Sequence, residues 1–260
     1  WFPEYQENER RLRAAPWPLE TIQSLVLRPE EGVGVKDGPG GWIISKSEYV
    51  PDGIPIIRAM NVFENGLDLE GAVFITEEKH QELSATAIQP EDLLLTMRGS
   101  IGRAAIVPHT VPKANMNAAI CRIRLRDRGL NEYLRDFLNT GPGLRQSLRH
   151  GHKAVQGDLN LSAIRGFLVP LPPKEVRQRL VRLLEEGRAA RRRKLDEAES
   201  LLGGLDAFVL EALGLTLPPP DGHRTTYAVR LSDVREGRKL YPDYFHPERL
   251  NAIRAIAAEF

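Results

Sequence analysis

Four side-chain amides and a group of cations stand out by type and position. Asn115 and Asn117 lie two residues apart, and Gln156 and Asn160 fall in GHKAVQGDLNLSAIRG, residues 151–166. An amide places a donor beside an acceptor, the pattern that pairs bidentately with adenine, while a guanidinium fork fits guanine or a phosphate. Near the amides sit Arg98, Ser100 and Arg103 in RGSIGR. Arg145, Arg149, His150 and Lys153 follow, in a segment with no acid from residue 137 to 157. On nucleic acid, such cations would grip phosphates and set the register, and the amides would read base edges. Each member also has a plainer use. The glycines of RGSIGR suit a tight turn, and an asparagine readily caps a turn or a helix.

The charge distribution sharpens the question. Across its 260 residues the chain has a net charge of only +1, which hides an asymmetry. Residues 1–92 carry 8 Lys/Arg against 17 Asp/Glu, residues 93–194 carry 21 against 7, and residues 195–260 carry 7 against 11. No acid lies between Asp92 and Asp127, a stretch holding Arg98, Arg103, Lys113, Arg122, Arg124 and Arg126. A block of one sign attracts polyanions and releases their counterions on binding. The alternative is that acids from other segments fold over the block and neutralise it.

Bond-making chemistry has little support. The sequence contains no G-x-S-x-G, no H-E-x-x-H, no Walker loop and no recognisable methyl-donor motif. RGSIGR lacks the dinucleotide-binding glycine spacing. His150 and His152 lack further ligands close in sequence, so a metal site is not expected. Cys121 is the single cysteine, which excludes an intrachain disulfide and a thiolate cluster, and its apolar strand makes it a core residue. A hydrolase would need a pocket joining a perturbed acid to His150 or His152.

The elements that must position these groups can be read in order. Helical residues 1–15 end at Pro16 and Pro18. Residues 20–45 hold short apolar runs broken by GVGVKDGPGG. Residues 54–125 are β-rich, with IPIIRAM, LEGAVFI, DLLLTM, GRAAIV and AAICRIRL as strands and a short helix from Glu77 to Thr86. Leu130, Tyr133, Leu134, Phe137 and Leu138 share a helical face, interrupted by Gly141-Pro142-Gly143 and continued by Leu144 and Leu148. After the strand FLVPLP, a proline pair starts a helix of about 40 residues whose apolar stripe runs from Val176 to Leu213. Gly187 and Gly203-Gly204 are candidate bends. So long a stripe needs a partner helix, which predicts half of an antiparallel pair. The fold class is therefore α/β (α+β) with a mixed β-sheet, followed by a long helix of coiled-coil type. The expected divisions are 1–19 as an N-terminal helical segment, 20–173 as the globular domain, 174–215 as the long helix and 216–260 as linker and tail. Tyr244-Phe245-His246-Pro247-Glu248 echoes Trp1-Phe2-Pro3-Glu4, as though a repeat begins again. A first residue that is not methionine points to processing or to a piece of a longer chain. No run approaches a membrane span and no secretory signal is present, so a cytoplasmic protein is the expectation.

Four stretches carry a resemblance. GIPIIRAMNV (53–62), DLLLTMRGSIGRAAIV (92–107), ANMNAAICRIRL (114–125) and GHKAVQGDLNLSAIRGFLVPLPPKEVRQRLV (151–181) occur in this order. Together they resemble the target-recognition domain and spacer helix in specificity subunits of Type I restriction-modification systems, over roughly residues 20–215. YAVRLSDVREGRKLYPDYFHPE resembles the segment that precedes a further recognition domain. The sequence departs from the family at Glu175-Val176-Arg177-Gln178, where Glu and Gln often stand together.

The resemblance implies a DNA-binding subunit that is not itself an enzyme and holds no cofactor. Its globular domain would read one half of a split double-stranded site. Its helix would set the distance to the other half, read by a second recognition domain in cis or in a homodimer. Methyltransferase subunits carrying S-adenosylmethionine and a restriction motor-nuclease would be the partners. A recognition domain fused to a methyltransferase-nuclease, of Type IIG character, and a helical protein-interaction scaffold are the alternatives. The target sequence is not readable from one chain.

Overall fold

A computed structural model describes residues 2–31, 33–40, 44–64, 66–151 and 159–214, together with Arg249 and Ile253. Lys153 and Gln156, the side chain of His150, and the tail with its echo of the N-terminus lie outside the described residues.

In chain order the elements are α1 (Phe2–Ala14), β1 (Leu19–Thr21), α2 (Ile22–Leu25), β2 (Val35–Asp37), β3 (Ile54–Ile57), β4 (Val62–Phe63) and β5 (Gly66–Leu67). Next come β6 (Val73–Ile75), α3 (Glu77–Glu82), β7 (Ala87–Ile88), β8 (Leu93–Thr96), β9 (Ala104–Ile106), β10 (Ala114–Met116) and β11 (Ile120–Ile123). The chain then turns helical with α4 (Asn131–Asn139), α5 (Gly141–Gly151) and α6 (Leu161–Arg165), before β12 (Leu168–Pro170) and α7 (Lys174–Ala212). Two compact units are present, Trp1–Arg188 and Ala189–Phe260.

The first unit is organised by two four-stranded sheets. One, in the order β2-β11-β8-β9, is antiparallel throughout; the other, β6-β3-β10-β7, is mixed, because β3 and β10 run parallel. Strand side chains alternate between faces, and β8 shows why its sequence is continuously apolar. Leu93 and Leu95 enter a core shared with α4, Ile164 of α6, and Phe167, while Leu94 enters a second core with Ile57, Ile88 and Met116 of the mixed sheet. The antiparallel sheet is thus covered by helices on one face and by the mixed sheet on the other. The predicted helical face is buried, with Tyr133, Leu134, Phe137 and Leu138 all in the first core. Burial raises the Tyr133 phenol to about 12, and its hydroxyl donates to Pro170 O at 2.6 Å.

β12 pairs antiparallel with β1, so the strand read from FLVPLP joins the two ends of the first unit. α1, marked in the sequence as a segment of its own, packs into this unit. Its Leu12 is in the first core and Asn8 Nδ2 donates to Pro142 O.

α7 runs unbroken for 39 residues, about 58 Å at 1.5 Å per residue. The bends expected at Gly187 and Gly203-Gly204 do not interrupt it, since a helical glycine costs only about 1 kcal/mol. Within the first unit, Val181 joins the core and Arg188 grips the buried Asp136 of α4 at 2.9 and 3.3 Å. Within the second unit, Leu195, Leu201, Leu202, Leu205 and Phe208 are exposed, Leu202 by 71%. Among the described residues no helix is long and apolar enough to cross a membrane.

Among the described residues, the buried carboxylates Asp92 and Asp136 are each matched by arginine. Asp92, 1% exposed, accepts two bonds from Arg124 at 2.6 Å and one from the Gln89 amide at 3.0 Å. Replacing Asp92 with Ala strands the Arg124 guanidinium and should cost about 3–5 kcal/mol. Equilibrium urea unfolding measures this, and a loss below about 1 kcal/mol would show the pair to be dispensable.

Candidate nucleic-acid interface

The turn between β8 and β9 is held from inside by Thr96. Its hydroxyl donates to Ser100 O and accepts from the Arg103 amide at 3.0 Å, while its carbonyl accepts from the Gly102 amide at 2.9 Å. Gly99 and Gly102 have φ of +72° and +88°, the left-handed region that glycine enters without strain. A Cβ at Gly102 would also lie 2.7 Å from Leu144 Cδ1, so the second glycine lets the turn pack on α5. With the loop fixed this way, Arg98 and Ser100 are exposed and Arg103 is half-buried.

Met97 brings separate candidate segments together. Its amide donates to Ala119 O at 2.7 Å, beyond Asn117, and its carbonyl accepts from the Leu159 amide at 3.1 Å, beside Asn160. The RGSIGR turn, the Asn117 turn, the start of α6 and α5 therefore meet at one end of β8. The sequence places these groups up to 60 residues apart, and the backbone pairing converges them.

The candidates then separate. Asn115 is a correction. It is 0% exposed, its amide donates to Leu83 O at 3.1 Å, and its Oδ1 meets His80 Nδ1, so it ties β10 to α3 rather than facing a base. Asn117 is half-buried and its Oδ1 accepts from the Ala119 amide at 3.1 Å. Asn160 is exposed and caps α6, with Oδ1 accepting from the Ala163 amide at 2.8 Å, the plainer use foreseen for it. Arg145 is exposed on α5, and Arg149 pairs with Glu9 of α1 at 3.0 Å.

Much of the basic block is likewise spent inside the fold. Arg122 is 4% exposed and donates to Ala87 O and to Val33 O, bridging sheet to sheet and to the loop before β2; burial pulls its pKa down, and the neighbouring Arg124 adds to this. Lys113 meets Glu77 at 2.9 Å, Arg128 meets Glu91, and Arg126 donates to Ser24 O at 2.8 Å. The reading in which acids fold over the block holds for Lys113, Arg124 and Arg128, while Arg122 and Arg126 are held by backbone carbonyls. Cys121 is a core residue, its thiol pushed up by burial.

Arg103 and Arg145 behave differently, since neither side chain forms a hydrogen bond or ion pair among the described residues. The Arg103 guanidinium lies 5.6 Å from the centre of the Phe63 ring, a cation–π contact. Glu64, Ser100, Ile101, Gly102, Arg103, Asn139 and Leu144 line an open cleft of about 290 Å³. A smaller cleft of about 130 Å³ between α1 and α5 contains Arg13, Arg145 and Arg149 together with Glu9. Sequence reasoning missed Thr96, Phe63 and Glu64. The signals were a threonine directly before a glycine turn and the Asn65-Gly66 pair, which marks a hairpin.

The comparisons with known proteins point one way. No protein-family model matches the chain. The chain is 26% identical over 145 residues to the Type I restriction enzyme EcoBI specificity subunit of Escherichia coli, covering 55% of this chain and 30% of that subunit. A chain from a structure of complex assembly and conformational transition of the type I R-M system aligns with a TM-score of 0.55 at 17% identity, over 80% of this chain and 52% of that one. The HsdS subunit from Thermoanaerobacter tengcongensis aligns with a TM-score of 0.50 at 17% identity, over 80% and 51%. The chain thus spans under a third of the curated relative and about half of each solved chain. Over those spans it is similar in sequence to a Type I specificity subunit and shares the fold of a type I R-M chain and an HsdS subunit, as its four ordered motifs led one to expect.

Proposed function

We propose that this chain is a sequence-specific DNA-recognition module of a restriction-modification complex, reading one half of a split site in duplex DNA. The similarity over 145 residues to a specificity subunit carries the reading. The clustering of Arg98, Ser100, Arg103 and Arg145 around one end of β8 and on the packed α5 supports it. Lys153, Gln156 and Asn160 belong to the same proposed surface by sequence. The chain makes and breaks no bonds in this reading. Methyltransferase subunits bind S-adenosylmethionine and modify a flipped base, and a motor-nuclease cleaves, in a cytoplasmic complex. The exposed apolar face of residues 195–213 pairs with a second spacer helix, from a further recognition domain in cis or from a second copy.

A protein-interaction scaffold is the second reading, and the Arg149–Glu9 pair favours it, because a cation used internally is lost to DNA. Arg145 bears on the choice in the opposite direction.

DNA binding should weaken steeply with salt, with a slope of about 0.9 per phosphate contact, when titrated with the methyltransferase subunits present. Arg145→Ala should lower affinity for every duplex alike and reduce that slope by about one contact, whereas Gln156→Ala should change preference at one position by roughly 1–3 kcal/mol. Salt-independent binding, or none, contradicts the proposal. For the helix, Leu201→Asp with Leu205→Asp should abolish assembly with the partner helix in sedimentation velocity while leaving the unfolding midpoint of the first unit unchanged. Unaltered assembly would show that this face is not the contact.

A further inference from the structure

We propose that Glu64 and Arg103 form a composite reader of a single G·C base pair, with Phe63 holding the arginine in position. The inference rests on the DNA-recognition reading and adds two residues that sequence reasoning did not connect with binding. Three observations support it. The Arg103 guanidinium lies over the Phe63 ring at 5.6 Å and makes no hydrogen bond or ion pair among the described residues, so its donors remain available. Glu64 is exposed, lines the same cleft as Arg103 and Ser100, and pairs with no cation among the described residues. The remaining amide of the cleft, Asn139, is occupied: its Oδ1 accepts from the Ala104 amide at 2.9 Å and its Nδ2 donates to Ala104 O at 2.8 Å.

The chemistry selects the ligand. An anion site would not place a carboxylate beside its arginine, because Glu64 would repel a phosphate. A G·C pair presents both complements in the major groove: guanine O6 and N7 accept from a guanidinium, and the cytosine amino group donates to a carboxylate. A ring beneath the guanidinium limits its rotamers, so less freedom is lost when the fork engages a base. The short hairpin β4–β5, packed against β9, presents Phe63 and Glu64 beside the Arg103 turn.

Selection from a random duplex pool, with methyltransferase subunits added, tests this on the full chain. The unaltered chain should require a G·C pair at one position. Glu64→Ala should lower that preference about tenfold while binding non-specific duplex equally or more tightly, because a repulsive charge is gone. Arg103→Lys keeps the charge and should retain the salt slope yet lose the guanine requirement, and Phe63→Leu should weaken the same preference. Circular dichroism confirms that each variant folds. Selection of one unchanged site by Glu64→Ala and Arg103→Lys overturns the inference while leaving DNA recognition standing. A chain that binds no duplex overturns both.

Discussion

An unpaired guanidinium buried in a protein is strongly destabilising, and this cost decides which arginines of the central block can face a ligand. β8 and β11 lie in the middle of a sheet covered on both faces. Arginines on or just beyond β11 must therefore find partners within the molecule. Arg124 finds Asp92, and Arg122 finds the carbonyls of Ala87 and Val33. The block is thus two populations with one composition. One is paired within the fold, and the other, Arg103 on its turn and Arg145 on α5, has side-chain donors that can meet something outside the chain.

The same constraint shapes the turn that carries Arg103. Thr96 is fully buried, and its hydroxyl and carbonyl are used on the turn's own backbone. With Gly99 and Gly102 absorbing the left-handed conformations, the loop has its shape before any ligand arrives. A preformed loop loses less conformational freedom on binding, so more of each contact appears as affinity. The proposed division of labour follows. A rigid first unit presents a small set of donors and acceptors. A helix with exposed apolar side chains at Leu201, Leu202, Leu205 and Phe208 carries the connection to whatever else the proposed complex contains.

The sequence showed the periodic features clearly. The three- and four-residue spacing around Tyr133 and Phe137 and the leucine run of β8 report burial directly, whereas the stripe of α7 gave the helix but not its burial: Val181 joins the core and most of the other apolar residues are exposed. The mixed sheet was legible from short β-branched runs, though not the pairing of β3 with β10, which joins residues about 60 apart. The site was less legible. Asn115 and Asn160 look alike in sequence, yet one is sealed in the core and the other caps a helix, since an amide serves backbone and base equally well. Lys113 and Arg124 look like ligands until Glu77 and Asp92 are brought to them by folding. Glu64 looks like an ordinary surface acid until β4–β5 sets it beside Arg103.

Hydrogen–deuterium exchange of the first unit, with and without a selected duplex, tests the central claim most directly. The account predicts slowed exchange in residues 98–103, in the β4–β5 hairpin and in α5, with β11 and its pairs unchanged because their arginines never leave the protein. Protection spread over the face of α3 and Lys113 instead, with no change at 98–103, would contradict it.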